Sequence, residues 1–470
     1  MKKTSSLIKG ITFAIGVFCT FMSMSILASE NVKSLLDLLL KKGVITQQEY
    51  DDHIKTAIDS SENRQFKDSR IAEDLTKLNK RVPLDAGNVL KNGLGVQSGD
   101  GKYKAQFIGR VHFDYRNFSE SPSSAEEVNE NKFDLRRARF GVKGQLGKGI
   151  KYKLFGDFGN SSAKIDEGYI DWSGKKGNKT KIRMGKFKMP FSLEQLTSSN
   201  NIDFMERSLV GVQEGQFIPT KEFGIQVYGN PMPGSVYALA LSNGTKGGTK
   251  DEEYDSPDII FRGAANLSAL GKKKNKGKVM HVGFGYSVGE QGAIGSFKNK
   301  TEARSSIRPF KSTTFGAGTD RTRMNLELAF ANGPVKIQGE YFTFEFDDPS
   351  RSSKLETTGY YVQAVYNLTG EDHNYSQKKS TFGGIKPKVS YTTKSGRGGA
   401  WQLAVRLSKI DGEEMSSGSQ TGAKATTLGL NWKATKNARV LLNFISTDFD
   451  QAIDGVTSER AVNLRGQINF

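Results

Sequence analysis

From residue 104 to the C-terminus, apolar and polar residues alternate with a period of two along many separate segments. Side chains alternate between the two faces of a β-strand, so each segment would have one apolar face and one polar face. The pattern therefore predicts an antiparallel β-protein over residues 104–470. The clearest segments are 107–116, 137–146, 151–158, 323–330, 401–408 and 462–470.

The two faces of these segments differ more sharply than those of a soluble antiparallel sandwich, which is the alternative fold. Along each segment, the positions on the apolar face are rich in aromatic residues, Gly and Ala, whereas the alternate positions, on the polar face, carry many full charges. An Arg or Lys that faces lipid at the middle of a bilayer costs about 2–4 kcal/mol, so a lipid-facing wall enforces this separation. The pattern favours a membrane-spanning β-barrel over a sandwich.

The spacing of the segments supports the same fold, because mostly long connections alternate with mostly short turns. The exception is the long connection 369–399 on the short-turn side, and the sequence leaves open whether residues 386–391 form a strand. The long connections are 119–131, 159–163, 188–222, 243–257, 289–320, 347–355, 411–422 and 449–460, and the short turns include 147–149, 173–179, 231–234, 268–278, 331–334 and 433–437.

The predicted fold is all-β: a transmembrane antiparallel β-barrel of about 16 strands with a short N-terminal helical segment, a size that encloses an aqueous lumen. Both ends of the barrel would then lie in the periplasm. The predicted domains are a signal peptide (1–28), a periplasmic helical or coiled-coil segment (29–82), a linker (83–103) and an outer-membrane β-barrel (104–470).

The N-terminus has the three regions of a secretory signal peptide. Met1–Gly10 carries three Lys and no acid, an apolar run follows to Leu27, and Ala28 and Ser29 are small. The alternative is a transmembrane anchor, since the run approaches the ~18 residues that span a bilayer. Cleavage is favoured because no apolar run of that length recurs. The only cysteine, Cys19, would leave with this segment, so neither disulfides nor thiolate chemistry is expected.

The predicted helical segment reads as two or three short helices. A leucine cluster at 35–40 precedes Gly43, which can end a helix, and Thr46 and Glu49 have the spacing of a capping box. Apolar residues of the third stretch are spaced as in a coiled coil, over too few heptads to decide. A small helical domain and an oligomerising stalk are both open. The coiled-coil positions are Ile71, Leu75, Leu78 and Val82.

The charge of the chain favours anionic partners. Its 470 residues include 68 Lys+Arg and 50 Asp+Glu, a net charge of +18 at neutral pH. On the polar parity of the strands many of these cations would face the lumen, where Arg and Lys can bind anion oxygens. The residues expected to line the pore or bind anions there are Arg110, Arg137, Arg139, Lys151, Lys153, Arg183, Arg262, Arg323 and Arg406, with Lys186, Lys188, Arg207 and Lys221 in or beside the long connection 188–222.

Three further signals are weak. Gly285–Gly289 fits the G-x-S-x-G elbow of serine hydrolases, but it lies in a strand pattern without the required turn and helix. The lysine run 272–278 resembles nucleic-acid patches, but export makes a solvated turn the better interpretation. The acidic segment 251–255 suggests contact with divalent cations near lipopolysaccharide. We expect no enzymatic activity, cofactor, metal or nucleic-acid partner.

Several stretches resemble the phosphate-selective porin O and P family of Gram-negative outer membranes, over about residues 104–470. The resemblance implies a homotrimer of sixteen-stranded porins that conduct anions, with a third external loop folded into the lumen and basic residues that guide phosphate. Residues 185–209 are the most specific part. The matching stretches are 136–158, 168–172, 185–209, 359–371, 399–411, 428–444 and 461–470.

Together these patterns predict a channel in the outer membrane for passive diffusion of small anions, with phosphate as one candidate. The pore would be a basic lumen, which the family resemblance implies is narrowed by the third long connection, and the barrel would contact outer-membrane lipid and lipopolysaccharide. Two alternatives are open: a weakly selective porin for other small solutes, and a structural or adhesive outer-membrane barrel.

Overall fold

A computed structural model describes residues 37–38, 40–43, 46–52, 55, 94–120, 131–174, 179–211, 217–244, 257–271, 277–292 and 295–470. The chain divides into two compact units, Met1–Leu84 and Asp85–Phe470. The predicted signal peptide and the predicted coiled-coil positions lie outside the described residues.

In the N-terminal unit, helical residues occur at 37–41 and 47–52, with residue 39 outside the described set. The predicted capping box is confirmed: the Thr46 amide donates to the Glu49 carboxylate (2.9 Å), and the Glu49 amide donates to the Thr46 hydroxyl (3.3 Å). Gly43 has a φ of 68°, the left-handed conformation that follows a helix end.

The second unit is a closed antiparallel barrel of sixteen strands, as predicted. Neighbours in sequence are neighbours in the barrel, and the last strand pairs with the first, so the sheet has no free edge. The barrel strands are β2 Lys104–Glu120, β3 Lys132–Leu146, β4 Ile150–Asp157, β5 Lys164–Trp172, β6 Thr180–Lys188, β7 Lys221–Gly229, β8 Ser235–Ser242, β9 Asp258–Asn266, β10 Val279–Gln291, β13 Thr319–Asn332, β14 Val335–Asp347, β15 Leu355–Asn367, β18 Ala400–Asp411, β19 Ser416–Lys433, β20 Ala438–Ile453 and β21 Val456–Asn469.

Five shorter strands lie outside the barrel's sixteen. Strand β1 (Gly95–Gln97) pairs with the start of β2, so the end of the predicted linker 83–103 forms a hairpin with the first barrel strand. Strands β11 and β12 lie in the connection after β10, and β16 and β17 in the connection after β15. They are β1 Gly95–Gln97, β11 Lys298–Asn299, β12 Phe310–Ser312, β16 Tyr375–Ser376 and β17 Thr381–Phe382.

The two faces of each strand lie in different environments, as the alternation predicts. In β13, Leu326 and Leu328 are 56% and 62% exposed on the outer face, while Glu327 between them is 0% exposed inside. An apolar outer surface and a charged interior are the arrangement that a lipid-embedded barrel requires. In the described part of the chain no helix is long and apolar enough to cross a membrane.

Two of the predicted long connections are shorter than expected. The connections after β18 and β20 span only residues 412–415 and 454–455. Strand β19 begins at Ser416, inside the predicted loop 411–422, and β20 continues to Ile453 inside the predicted loop 449–460. Asp454 and Gly455 both have positive φ (49° and 77°), the conformation of a two-residue type I′ hairpin turn. The Asp-Gly pair is a sequence signal for this turn.

The long connection 368–399 on the short-turn side contains a small hairpin, β16 with β17. Residues 386–391, which the sequence left undecided, form no strand. Pro387 lacks an amide donor, and neighbouring amides bond to scattered acceptors: Lys388 N–H donates to Glu371 (3.2 Å) and Tyr391 N–H to the Ala434 carbonyl (2.8 Å).

Candidate functional site

The connection between β6 and β7 carries the short helix Leu193–Leu196, which contacts the far wall of the barrel. The Ser192 hydroxyl caps it by accepting from the Gln195 amide (3.2 Å). The amides of Leu193 and Glu194 donate to the Glu340 carboxylate on β14, at 2.9 and 2.7 Å. A carboxylate facing the positive end of a helix is favourable, and these bonds tie the segment to the opposite strand.

Two of the predicted site residues hold the other end of this helix. The Lys188 ammonium donates to the carbonyls of Gln195 (2.5 Å) and Thr197 (3.0 Å). The Arg207 guanidinium donates to the carbonyls of Glu194 (3.2 Å), Gln195 (3.3 Å) and Thr197 (3.1 Å). Both cations satisfy carbonyl groups left free at the end of a helix, where positive charge is stabilising.

Around these two cations the structure gathers further predicted residues. Lys188 is paired directly with Lys221 across β6 and β7. Lys188 and Arg207 donate to the same two carbonyls, those of Gln195 and Thr197, and the charge of Arg110 also acts on the Lys188 ammonium. Arg110 donates to the Ser199 hydroxyl (2.8 Å), its guanidinium lies 5.2 Å from the Phe155 ring centre, and its Nε has no partner among the described residues. These four side chains form one group that we call the cationic cluster: Arg110, Lys188, Arg207 and Lys221.

Carboxylates border this cluster without balancing it. Arg139 pairs with Asp157 (2.8 Å) and Asp166 (2.7 Å), and Lys221 also contacts Asp166. Lys153 pairs with Glu167, and its ammonium lies 4.9 Å from the Phe155 ring centre. With Arg139 and Lys153 the neighbourhood holds six basic side chains. Besides Asp157, Asp166 and Glu167, the charges of Glu194 and Glu206 act on Arg207, so the basic residues outnumber these carboxylates by one. The region favours anions electrostatically.

A second group of arginines surrounds Glu206, further along the same connection. Arg136 donates to its carboxylate at 2.9 and 3.3 Å, and Arg465 on β21 at 2.8 Å. The predicted residue Arg137 lies 3.7 Å from it, and Arg116 3.3 Å. Asp114 is the only other carboxylate paired with these arginines in the described part of the chain. One loop carboxylate therefore neutralises much of an arginine-rich wall.

The charge state of Glu206 should be insensitive to mild acid. Burial alone would raise the pKa of its carboxyl, but the charges of Arg136, Arg137 and Arg465 outweigh it and hold the pKa well below its usual 4.5. A carboxyl with a lowered pKa contributes stability that is lost only as pH falls through the folded-state value.

We therefore expect the contacts of Glu206 to persist from neutral pH down to about 4.5. Single-channel conductance recorded over this range should show no step that depends on Glu206. A rise in conductance near pH 4.5 that the substitution Glu206→Gln abolishes would contradict this expectation.

A third group joins two long connections to the wall. The Arg406 guanidinium on β18 donates to Glu302, in the connection after β10, and to Glu194 (3.3 Å). Ser408 and Thr427 donate their hydroxyls to the same Glu302 carboxylate, each at 2.6 Å. The predicted lumenal cation Arg406 thus anchors both connections and is itself fully neutralised.

The other predicted residues lie apart from the cationic cluster. Arg183 pairs with Asp171 (2.7 Å), Arg262 with Glu327 (2.6 Å) and Arg323 with Asp258. Lys186 shares the parity of the outward-facing Met184, and its ammonium lies 5.3 Å from the Phe223 ring centre. Lys151 pairs in register with Asp171 across β4 and β5.

Apolar side chains fill the interior at the long-connection end, where the sequence predicted an aqueous lumen. Phe217 packs on Phe310 (ring centres 5.2 Å apart) and Phe344 (4.8 Å), joining two connections to strand β14. We call this group the apolar core; its members include Phe187, Met189, Phe191, Leu209, Val210, Phe217, Ile218, Phe297, Ile307, Phe310, Phe315, Phe342, Phe344, Phe346, Tyr361, Ile410, Met415 and Phe449.

The predicted site residues did not include the carboxylates that organise the interior, nor the interior arginines Arg116, Arg136, Arg439 and Arg465. Glu194, Glu206 and Glu302 lie in connections, where strand parity gives no information. Arg136 lies at a register shift between β2 and β3, where three steps in β3 oppose two in β2, so it points inward beside Arg137.

The hydrolase-like stretch lies within a barrel strand. Ser287 lies inside strand β10, where its hydroxyl accepts from Arg323 (2.7 Å), whereas the G-x-S-x-G elbow requires its Ser at a strand-to-helix turn. Among the described residues no group of three or more His, Cys, Asp or Glu side chains is arranged to hold a metal ion.

A family model described as phosphate-selective porin O and P matches residues 106–470. The chain belongs to this family. Porin O of Pseudomonas aeruginosa is 24% identical over 407 residues, which cover 79% of this chain and 89% of that protein. The porin family and its outer-membrane relatives establish the protein as a porin channel of the Gram-negative outer membrane.

Solved structures share the fold of this porin at low sequence identity. OmpT, an outer membrane protein of Vibrio cholerae, has a TM-score of 0.50 at 10% identity, covering 78% of the porin and 98% of OmpT. OprB of Pseudomonas putida has a TM-score of 0.50 at 10% identity, covering 78% and 94%.

Proposed function

We propose that the porin passes small anions in preference to cations, and that the cationic cluster sets this preference. The observation that carries the proposal is the convergence of Arg110, Lys188, Arg207 and Lys221 beside a segment tied to the opposite wall. Fixed positive charges at a narrow point raise the local concentration of anions and repel cations.

Phosphate is the anion that this chemistry suits best. Arg groups bind phosphate oxygens through two parallel hydrogen bonds, and Lys adds a mobile point charge. The family description points the same way. Binding must be weak and distributed over several sites so that the ion can leave.

The proposal includes a constriction formed by residues 189–211. Their bonds to Glu340 on β14, to Asn443 on β20 and to Arg465 on β21 support it, since these strands lie on different sides of the barrel. A homotrimer and contact of residues 251–255 with lipopolysaccharide are further proposals from the family resemblance and the sequence; residues 251–255 lie outside the described set.

A weakly selective porin is the second candidate, and one observation favours it. Most of the predicted lumenal cations have a carboxylate partner, which cancels their charge for a passing ion. The paired residues are Arg137, Arg139, Lys153, Arg183, Lys221, Arg262, Arg323 and Arg406.

Reversal potentials in a salt gradient separate the two candidates. We expect the wild-type porin to show an anion-selective potential, and the double variant Lys188→Glu, Arg207→Glu to reduce or reverse it, because four units of charge change at the narrow point. The matched control Lys148→Glu, Lys394→Glu makes the same charge change at exposed residues outside the strands.

The variant must remain folded for this test, since both residues hold the helix Leu193–Leu196. The neutral pair Lys188→Gln, Arg207→Gln should give an intermediate potential. If the Glu pair and the Gln pair at positions 188 and 207 both leave the reversal potential unchanged, Lys188 and Arg207 do not take part in selectivity. A wild-type reversal potential near zero would favour the weakly selective channel.

A further inference from the structure

The connection 368–399 reaches into the barrel from the short-turn end. The Tyr375 hydroxyl lies 2.6 Å from His281 on β10, and the Ser380 carbonyl accepts from Arg262 on β9 (3.1 Å). Phe382 is 3% exposed and packs with Leu193 of the loop helix and Ala331 of β13. We call this connection the periplasmic lid, because its hairpin contacts both the wall and the segment 189–211.

Between the lid and the wall lies a cavity that is partly open to solvent; the space not occupied by protein atoms there, about 370 Å³, includes part of that open solvent. The lid contributes His373, Gly383 and Gly384, and the segment 189–211 contributes Asn201 and Asp203. Strands and turns on the opposite side contribute Gln402, Asn431, Lys433 and Arg439.

Two cations of this cavity have no carboxylate partner among the described residues. Lys433 is 8% exposed and has no hydrogen-bond partner there. Arg439, also 8% exposed, donates only to neutral acceptors: Gln467 (3.0 Å) and the carbonyls of Ile202 (2.9 Å) and Ser199 (3.2 Å). A buried charge without a counter-charge is costly, so the cavity is suited to an anion.

The remaining charges of the cavity do not supply that anion. The Asp203 carboxylate already accepts from Lys336 (2.6 Å) and Gln363 (2.8 Å). Burial and the nearby Lys336 lower the pKa of His373 to about 4, so its ring is neutral at pH 7. The charges of Asp203 and Lys336 cancel each other, so the cavity keeps the two positive charges of Lys433 and Arg439.

One buried oxygen without a hydrogen-bond donor in the described part of the chain indicates which kind of anion the cavity would bind. Asn431 is 4% exposed, and its amide group donates to the Asp203 carbonyl (2.7 Å) and to Gln402 (2.8 Å). Its Oδ1 has no partner among the described residues. A buried acceptor left unpaired costs free energy that a donor on the ligand would recover.

We propose that this cavity is a binding site for a small anion that carries an O–H donor, such as hydrogen phosphate or a hydroxycarboxylate. Lys433 and Arg439 neutralise its charge, Asn431 accepts from its hydroxyl, and the lid closes over it. The inference deepens the proposed anion preference and rests on it, but it concerns a site distinct from the cationic cluster.

The His373 ring, which lines the cavity, reports on the site directly. In refolded porin labelled with ¹⁵N-histidine, addition of inorganic phosphate at pH 7 should shift the His373 resonance saturably, and equal sulfate, which has no O–H donor, should shift it much less. Glycolate should likewise act more strongly than acetate. The assignment is checked with His373→Asn.

Matched variants test the ligands. Lys433→Gln should weaken the phosphate response about ten-fold or more, because a hydrogen bond to a charged group is lost. Lys436→Gln, an equal charge change at an exposed turn residue, should leave it unaltered. In Gly384→Val the new Cβ would lie 2.8 Å from Asn201 and 3.0 Å from Lys433, so it should abolish the response.

Each outcome bears on the site. A His373 resonance that ignores phosphate, that responds equally to sulfate, or that titrates in folded Lys433→Gln as in wild type overturns the inference. If the reversal potential is anion-selective while phosphate does not shift the His373 resonance, only this inference fails. If His373 responds as expected while the potential is not anion-selective, the proposed function fails and the site stands.

Discussion

Replacing Glu206 by alanine should release residues 189–211 from the barrel wall and raise single-channel conductance. The carboxylate is 5% exposed and lies among Arg116, Arg136, Arg137 and Arg465. Without it those four guanidinium groups face one another with Asp114 as their paired carboxylate. Removing one partner of a buried ion pair costs about 3–5 kcal/mol, and several pairs are lost here.

We expect residues 189–211 to detach from the wall while the barrel itself stays folded. The sixteen-stranded barrel is closed by backbone hydrogen bonds that Glu206 does not make, whereas residues 189–211 are held largely by side-chain contacts. Trypsin should therefore cleave the folded variant near Arg207, and conductance should rise together with anion selectivity, because uncompensated arginines then line the pore.

A partly exposed carboxylate provides the matched control. Glu345→Ala removes one partner of the exposed Lys354; an ion pair in contact with solvent contributes little, so conductance and trypsin resistance should match wild type. Wild-type conductance and trypsin resistance in Glu206→Ala would show that the arginine group does not hold the loop.

The strands could be predicted from sequence because each depends on local alternation. In strand β14 the alternation of the sequence also contains information about the interior of the barrel. Its inward parity runs from Lys336 and Glu340 to Phe342, Phe344 and Phe346, so it changes from polar to aromatic along one strand. That change marks the level at which the interior becomes apolar, and it can be recognised without a structure.

The interior contacts could not be predicted, because they join residues far apart in sequence. Glu302 and Arg406 are 104 residues apart, and Glu206 and Arg465 are 259 apart. Parity placed Arg406 on the inner face correctly, but it could not show that a loop carboxylate neutralises it. Which basic residues stay unpaired, and so act on a passing ion, is decided by how the two long connections fold back.

The connection after β10 should control the width of the pore more than any single residue. It contributes Phe297, Ile307, Phe310 and Phe315 to the apolar core, and Glu302 to the Arg406 group. Gln291 and Thr319 are paired directly across β10 and β13. A two-residue Asn-Gly turn can therefore join these strands in place of residues 292–318 without disturbing their register.

We expect this replacement to increase single-channel conductance several-fold, since it empties the long-connection half of the interior of four large side chains. The matched control replaces residues 347–354 by the same turn, joining the paired residues Phe346 and Leu355, and removes no member of the apolar core. Heat-modifiable migration on gels confirms that each barrel is closed. Equal conductance in the two variants would mean that the apolar core does not limit ion flow, and that the constriction lies wholly with residues 189–211 and the periplasmic lid.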